Sequence, residues 1–197
     1  MISNLAARIS EYLTDGGLPV MGTLTFAALV LWYALGYRMF ALRRGNRRSV
    51  RVLIDRYATG YRRRARGIID TAVLRGLELS KQGKTRLRER LDEAFAVFED
   101  RIGTYKILVK SIVAVAPLLG LLGTVIGMIE TFDSLGDMSL FSQSGGIAGG
   151  ISQALFTTQM GLAVALPGLV AGRILDRRQS LIETELAKIK DILCTRA

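Results

Sequence analysis

The stretch SIVAVAPLLGLLGTVIGMI, residues 111–129, runs for 19 positions without a charge between Lys110 and Glu130. A helix rises about 1.5 Å per residue, so about 20 such residues cross the roughly 30 Å hydrocarbon core of a bilayer. Two further runs have the same character. Twenty-two uncharged residues lie between Asp15 and Arg38, and 35 lie between Asp137 and Arg173. In the second of these, residues 139–146 are too polar and glycine-rich for lipid, which leaves 147–174 as the span. The expectation is an all-α membrane protein with transmembrane helices over 18–37, 108–131 and 147–174. No basic segment leads into the first run, where Arg8 is the only preceding basic residue, so it reads as a span and not as a signal peptide.

The charges between the runs set the orientation. Of 27 Lys and Arg, 20 fall between Arg38 and Lys110, against 8 of the 17 Asp and Glu. Arg43, Arg44, Arg47 and Arg48 follow the first span, and Arg173, Arg177 and Arg178 follow the third. The connection between the second and third holds Glu130, Asp133 and Asp137 and no basic residue. Basic residues are retained on the cytoplasmic side, so the N-terminus is expected outside and the C-terminus inside. Residues 38–107 then form a basic cytoplasmic loop and 132–146 a periplasmic one. Arg62, Arg63 and Arg64 are expected to contact anionic lipid headgroups, and no nucleic acid is expected.

The remaining segments read as helical. Ile2, Leu5, Ala6, Ile9, Tyr12 and Leu13 share one face, giving an amphipathic periplasmic helix over 1–17 that Gly16, Gly17 and Pro19 end. Leu87, Leu91, Phe95, Phe98, Ile102 and Tyr105 form one stripe in the loop. Leu175, Ile182, Leu186, Ile189 and Leu193 form another over 175–197. These stripes are expected to continue the second and third spans into the cytoplasm and pack as an antiparallel bundle.

Site chemistry is sparse. The chain has no histidine and one cysteine, Cys194, which rules out His-based triads and an internal disulfide. Gly145, Gly146, Gly149 and Gly150 lack a following Lys-Ser/Thr, so they make no phosphate loop. No enzyme, cofactor or metal is expected. The informative residues lie in the inner spans. Ala116, Gly120, Thr124 and Gly127 fall on one face of the second. Ala154, Thr158, Gly161, Ala165, Gly168 and Gly172 do so on the third. Small faces let backbones approach closely. The plainer reading is packing alone, with each threonine bonded to its own backbone. Against it stand Thr124, Gln153, Thr157, Thr158 and Gln159, polar where lipid favours apolar groups, and Pro117 and Pro167, expected kinks.

Two stretches, APLLGLLGTVIGMIETF (116–132) and GGISQALFTTQMGLAVALPG (149–168), resemble the ExbB/TolQ/MotA family of proton-channel proteins. The three-span pattern resembles ExbB or TolQ more than the four-span MotA, and the compact length leans to ExbB. The resemblance implies a multi-pass protein of the bacterial inner membrane. It implies a homo-oligomer, a pentamer, around a dimer of a single-span ExbD- or TolR-like partner, and work on a TonB-like protein. The role would be proton-driven energisation of outer-membrane import, with TolQ-like envelope maintenance as the alternative. Thr124 and Thr158 match the family's pore-facing threonines, with Gln153 and Thr157 beside them on the ion pathway. Gln153 stands where several ExbB proteins carry Glu, so a titrating group is absent there. A non-conducting scaffold and an uncoupled channel are the other classes left open. Small faces on two spans are also expected to exceed what one three-helix subunit can satisfy, which is a second argument for an oligomer.

Overall fold

The computed structural model describes residues 18–45, 49–59, 67–83, 86–136 and 144–196. The helix expected over 1–17, and Arg47, Arg48, Arg62, Arg63 and Arg64, lie outside these residues. Regular structure among the described residues is entirely helical: α1 Leu18–Ala41, α2 Val50–Ala58, α3 Ile68–Lys81, α4 Leu87–Gly103, α5 Lys106–Gly136 and α6 Ser144–Arg196. Helices α1, α5 and α6 are long and apolar enough to cross a membrane.

Their ends differ from the sequence reading. Residues 132–136 and 144–146, expected in a loop, are helical. Leaving lipid does not end a helix, because its backbone bonds are internal and persist in water. The stripe ending at Tyr105 does not run unbroken into the second span. Helix α4 stops at Gly103, and Tyr105 takes a left-handed φ of 61° before α5 begins. The third span and the C-terminal segment form one helix of 53 residues, with Pro167 inside it and no interruption. Pro117 likewise sits within an unbroken α5.

The chain divides into two compact units. The first holds α1 up to Leu35 together with Ile107–Ala171. Val20, Met21, Leu24 and Leu31 of α1 are buried there with Val109 and Ala116 of α5 and Val164 and Ala165 of α6. Phe26, Leu29, Trp32, Leu118, Leu121, Leu155, Leu166 and Val170 are exposed. Large apolar side chains turned outward suit a lipid surround.

The second unit holds Gly36–Lys106 and Gly172–Ala197. Its core combines Ile69, Ala72 and Val73 of α3, Leu91, Phe95 and Ile102 of α4, and Ile182, Leu186, Ile189 and Leu193 of α6. Gly76 lets α3 approach: a Cβ there would sit 2.5 Å from Leu193 Cδ1. Lys190 pairs with Asp92 at 2.8 Å and Glu99 at 3.4 Å. The hydrogen bond from Lys190 draws the Asp92 carboxyl below its usual range. Burial opposes the charge on Lys190, yet the two carboxylates outweigh it and raise its pKa. Arg44 binds both Glu185 oxygens, and that hydrogen-bonded carboxylate raises its pKa further.

Arg38, like Asp70, departs from a surface distribution of charge. It is 1% exposed. Its Nη2 donates to Asp176 Oδ1 at 2.9 Å and to Gln179 Oε1 at 2.8 Å. Its Nε and Nη1 are buried with no hydrogen-bond partner among the described residues. Gln179 in turn donates to Glu183.

Candidate functional site

Within the first unit α5 meets α6 through glycine. A Cβ on Gly161 would lie 2.8 Å from the Ala116 carbonyl oxygen and 3.1 Å from Gly120 Cα. One on Gly120 would lie 3.0 Å from the Thr157 carbonyl oxygen and 3.2 Å from Thr158 Cα. One on Gly127 would lie 2.8 Å from the Gly150 carbonyl oxygen. The two backbones are therefore in contact along Ala116, Gly120 and Gly127 on one side and Ala154 and Gly161 on the other. Gly168 serves a different neighbour, with Leu31 Cδ2 of α1 2.7 Å from its would-be Cβ and Val113 of α5 at 2.8 Å. Ala165 is buried on the same side of α6.

This arrangement corrects one expectation. Apart from half-buried Thr124 and Thr158, the small faces are filled inside a single subunit, mostly by each other. An oligomer cannot be argued from them.

The polar residues separate into two kinds. Thr157 is 0% exposed, and its Cβ and Oγ1 lie 2.5 Å from the Cβ that Gly123 lacks. It therefore sits inside the contact between α5 and α6. Thr131, also buried, donates to the Gly127 carbonyl at 2.8 Å. Thr124, Thr158 and Gln153 are half-buried and Gln159 is exposed. Thr124 Oγ1 donates to the Leu121 carbonyl at 2.6 Å, and Thr158 Oγ1 donates to the Ala154 carbonyl at 3.3 Å. Thr157 donates to that same carbonyl at 3.0 Å.

Sequence reading misses Gly123, Gly150 and Thr131. The signal is present, since 116, 120, 123, 127 and 131 advance by four, three, four and four. Thr124 diverts attention from its buried neighbour.

The chemistry available here is narrow. Residues 111–129 and 138–172 carry no charge. A hydroxyl that donates to its own backbone has spent its proton and keeps its lone pairs. Thr124 and Thr158 therefore present acceptors to any visitor. A protonated carboxyl or a water can donate to them. An ionised carboxylate, an acceptor only, must first break the backbone bond. The pair thus favours the neutral form of an incoming acid, by about 1 kcal/mol per hydrogen bond.

Residues 64–188 match the MotA/TolQ/ExbB proton channel family. An ExbB-like biopolymer transport protein of Synechocystis sp. is 32% identical over 122 residues, covering 59% of this chain and 58% of that protein. A second ExbB-like protein from Synechocystis sp. is 45% identical over 75 residues, covering 37% of this chain and 30% of its own length. The biopolymer transport protein ExbB of Neisseria gonorrhoeae is 37% identical over 76 residues, covering 39% and 34%. The chain thus spans less than two thirds of the length of these relatives.

Proposed function

This chain belongs to the MotA/TolQ/ExbB proton channel family, and we propose on that footing that it is the proton-channel subunit of an ExbB-like motor in the bacterial inner membrane, coupling proton flow to biopolymer transport through a TonB-like protein. The observation that carries the reading is the pair Thr124 and Thr158: half-buried hydroxyls in uncharged segments, each with its proton turned inward. Neither titrates near neutral pH. A proton relay needs a group that does, so the titrating carboxyl comes from a single-span ExbD-like partner. Facing the threonines, that carboxyl holds its proton. Turned away to water or to a cation, it releases it. Alternation between the two settings couples movement to proton flow.

The test is a liposome carrying a pH dye. The chain alone is expected to leak protons far more slowly than the chain with its partner. Thr124→Val and Thr158→Val keep shape and remove one hydroxyl each. Each is expected to slow coupled flux about fivefold to tenfold, the worth of roughly 1 kcal/mol. Thr157→Val, which alters a residue sealed from visitors, is expected to leave flux near wild type. A selective proton current from the chain alone would sink the mechanism, and full flux in both outer variants would return the threonines to packing.

Orientation is part of the proposal. A cysteine replacing Asp137 is expected to react with an impermeant maleimide in intact cells, and native Cys194 only after permeabilisation. The opposite pattern reverses the topology.

The pentamer around a partner dimer rests on family membership together with the exposed Leu118, Leu121, Leu122 and Val125, which offer large side chains to neighbouring copies. A native mass of one subunit in mild detergent contradicts it.

A further inference from the structure

A cavity of about 490 Å³ opens in the second unit where α1 ends and α3 begins. Tyr37, Phe40, Ile68 and Phe98 supply its apolar wall, and the guanidinium groups of Arg43 and Arg101 its polar one. Its framework is fixed by backbone. The Ile68 amide donates to the Arg43 carbonyl at 3.2 Å, and Tyr37 is held edge-on to Tyr105 at 5.1 Å.

The charge at this cavity is unbalanced. Arg38 has Asp176 and Arg44 has Glu185. Among the described residues, Arg43 and Arg101 have no carboxylate partner and none of those lining the cavity is acidic. Two arginines on one opening call for an anion with several acceptor oxygens, and a phosphate ester supplies them. The apolar wall calls for an attached hydrocarbon. The chain position supplies one, because Tyr37 ends the uncharged run 16–37 and Phe40 lies three residues beyond it, and Phe40 is 69% exposed. Aromatic side chains at the end of such a run lie at headgroup depth.

A choline headgroup fits less well. Aromatic faces could hold its cation, but the Arg43 guanidinium already lies 4.6 Å over the Phe40 ring. No carboxylate is among the described residues lining the cavity to help. We propose that this cavity binds the phosphate of an anionic phospholipid, one per subunit, between Arg43 and Arg101.

The experiment is native mass spectrometry of the full chain in mild detergent with three probes. These are dioleoyl phosphatidylglycerol, dioleoyl phosphatidylcholine and the soluble ester glycerol 3-phosphate. Wild type is expected to retain one phosphatidylglycerol per subunit with about tenfold preference over phosphatidylcholine. Arg43→Gln with Arg101→Gln is expected to bring that preference to about twofold or less. Arg75→Gln with Arg88→Gln removes the same net charge from exposed positions elsewhere in the unit and is expected to keep it. Ala41→Phe fills the cavity, leaves both arginines in place, and is expected to abolish retention, so the site is tested even if the double variant fails to fold. Equal retention of both lipids by wild type overturns the proposal. So does equal loss in both double variants, which reads diffuse surface charge. Displacement of lipid by glycerol 3-phosphate at matched concentration overturns the lipid assignment in favour of a soluble phosphate ester.

Discussion

Gly161→Leu is expected to leave no monodisperse, helical protein after extraction in mild detergent. A side chain at this position meets backbone on the facing helix, at 2.8 Å from the Ala116 carbonyl oxygen and 3.1 Å from Gly120 Cα. No rotamer of a neighbour can yield, so α5 and α6 must separate along their contact. Overfilling a packed interior costs about 1–3 kcal/mol where side chains can adjust. Here they cannot, and separation also strips the contacts at Gly120, Gly123 and Gly127. Even Gly161→Ala is expected to lose about 2 kcal/mol. Gly22→Ala, in the same unit, is the opposite case. Nothing lies within 4 Å of its added Cβ, and alanine favours helix by about 1 kcal/mol. Unfolding by rising dodecyl sulfate, followed by helical ellipticity, reads all three. A wild-type midpoint for Gly161→Leu would mean that the close approach is not what holds the pair together.

Arg38→Ala is expected to destabilise the chain by about 3 kcal/mol, while Arg38→Met costs about 1 kcal/mol or less. The two replacements separate packing from charge. Arg38 is 1% exposed, so alanine leaves a void and removes the hydrogen bonds that Arg38 gives Asp176 and Gln179. Methionine refills most of the volume. It also removes two buried nitrogens, Nε and Nη1, that have no hydrogen-bond partner among the described residues. Taking a guanidinium out of water is expensive, and one carboxylate that is itself 30% exposed repays it only in part. The same detergent titration is the measurement. Equal losses for Ala and Met would show that the ion pair, and not the filled space, dominates.

What the amino acids alone disclose follows a physical divide. The three apolar runs are plain, because water-exposed segments of 19 to 35 residues rarely lack charge altogether. The small faces are plain too, because residues three and four apart share a side of any helix. Which helix each face meets is not legible. Thr157 and Thr158 illustrate it: both fit the spacing to Gly161, and only the position of α5 decides that one is sealed and the other half-open. Helix ends escape for a related reason. Polar, glycine-rich residues 144–146 do not suit lipid and so resemble a loop, yet a helix in water needs no lipid. Arg38 looks like a topology charge and nothing more. Its partner stands 138 residues away, and no local pattern announces a pairing at that distance.

The closure of α5 on α6 also bears on biosynthesis. These helices emerge from the ribosome consecutively, and only seven residues separate Gly136 from Ser144. Helices joined by so short a link find each other at a rate that does not depend on how many copies the membrane holds. A newly made chain can thus reach its compact form before it meets any sibling. Surplus copies made without a companion would accumulate as sound building blocks, spared by membrane proteases that clear unpaired helices.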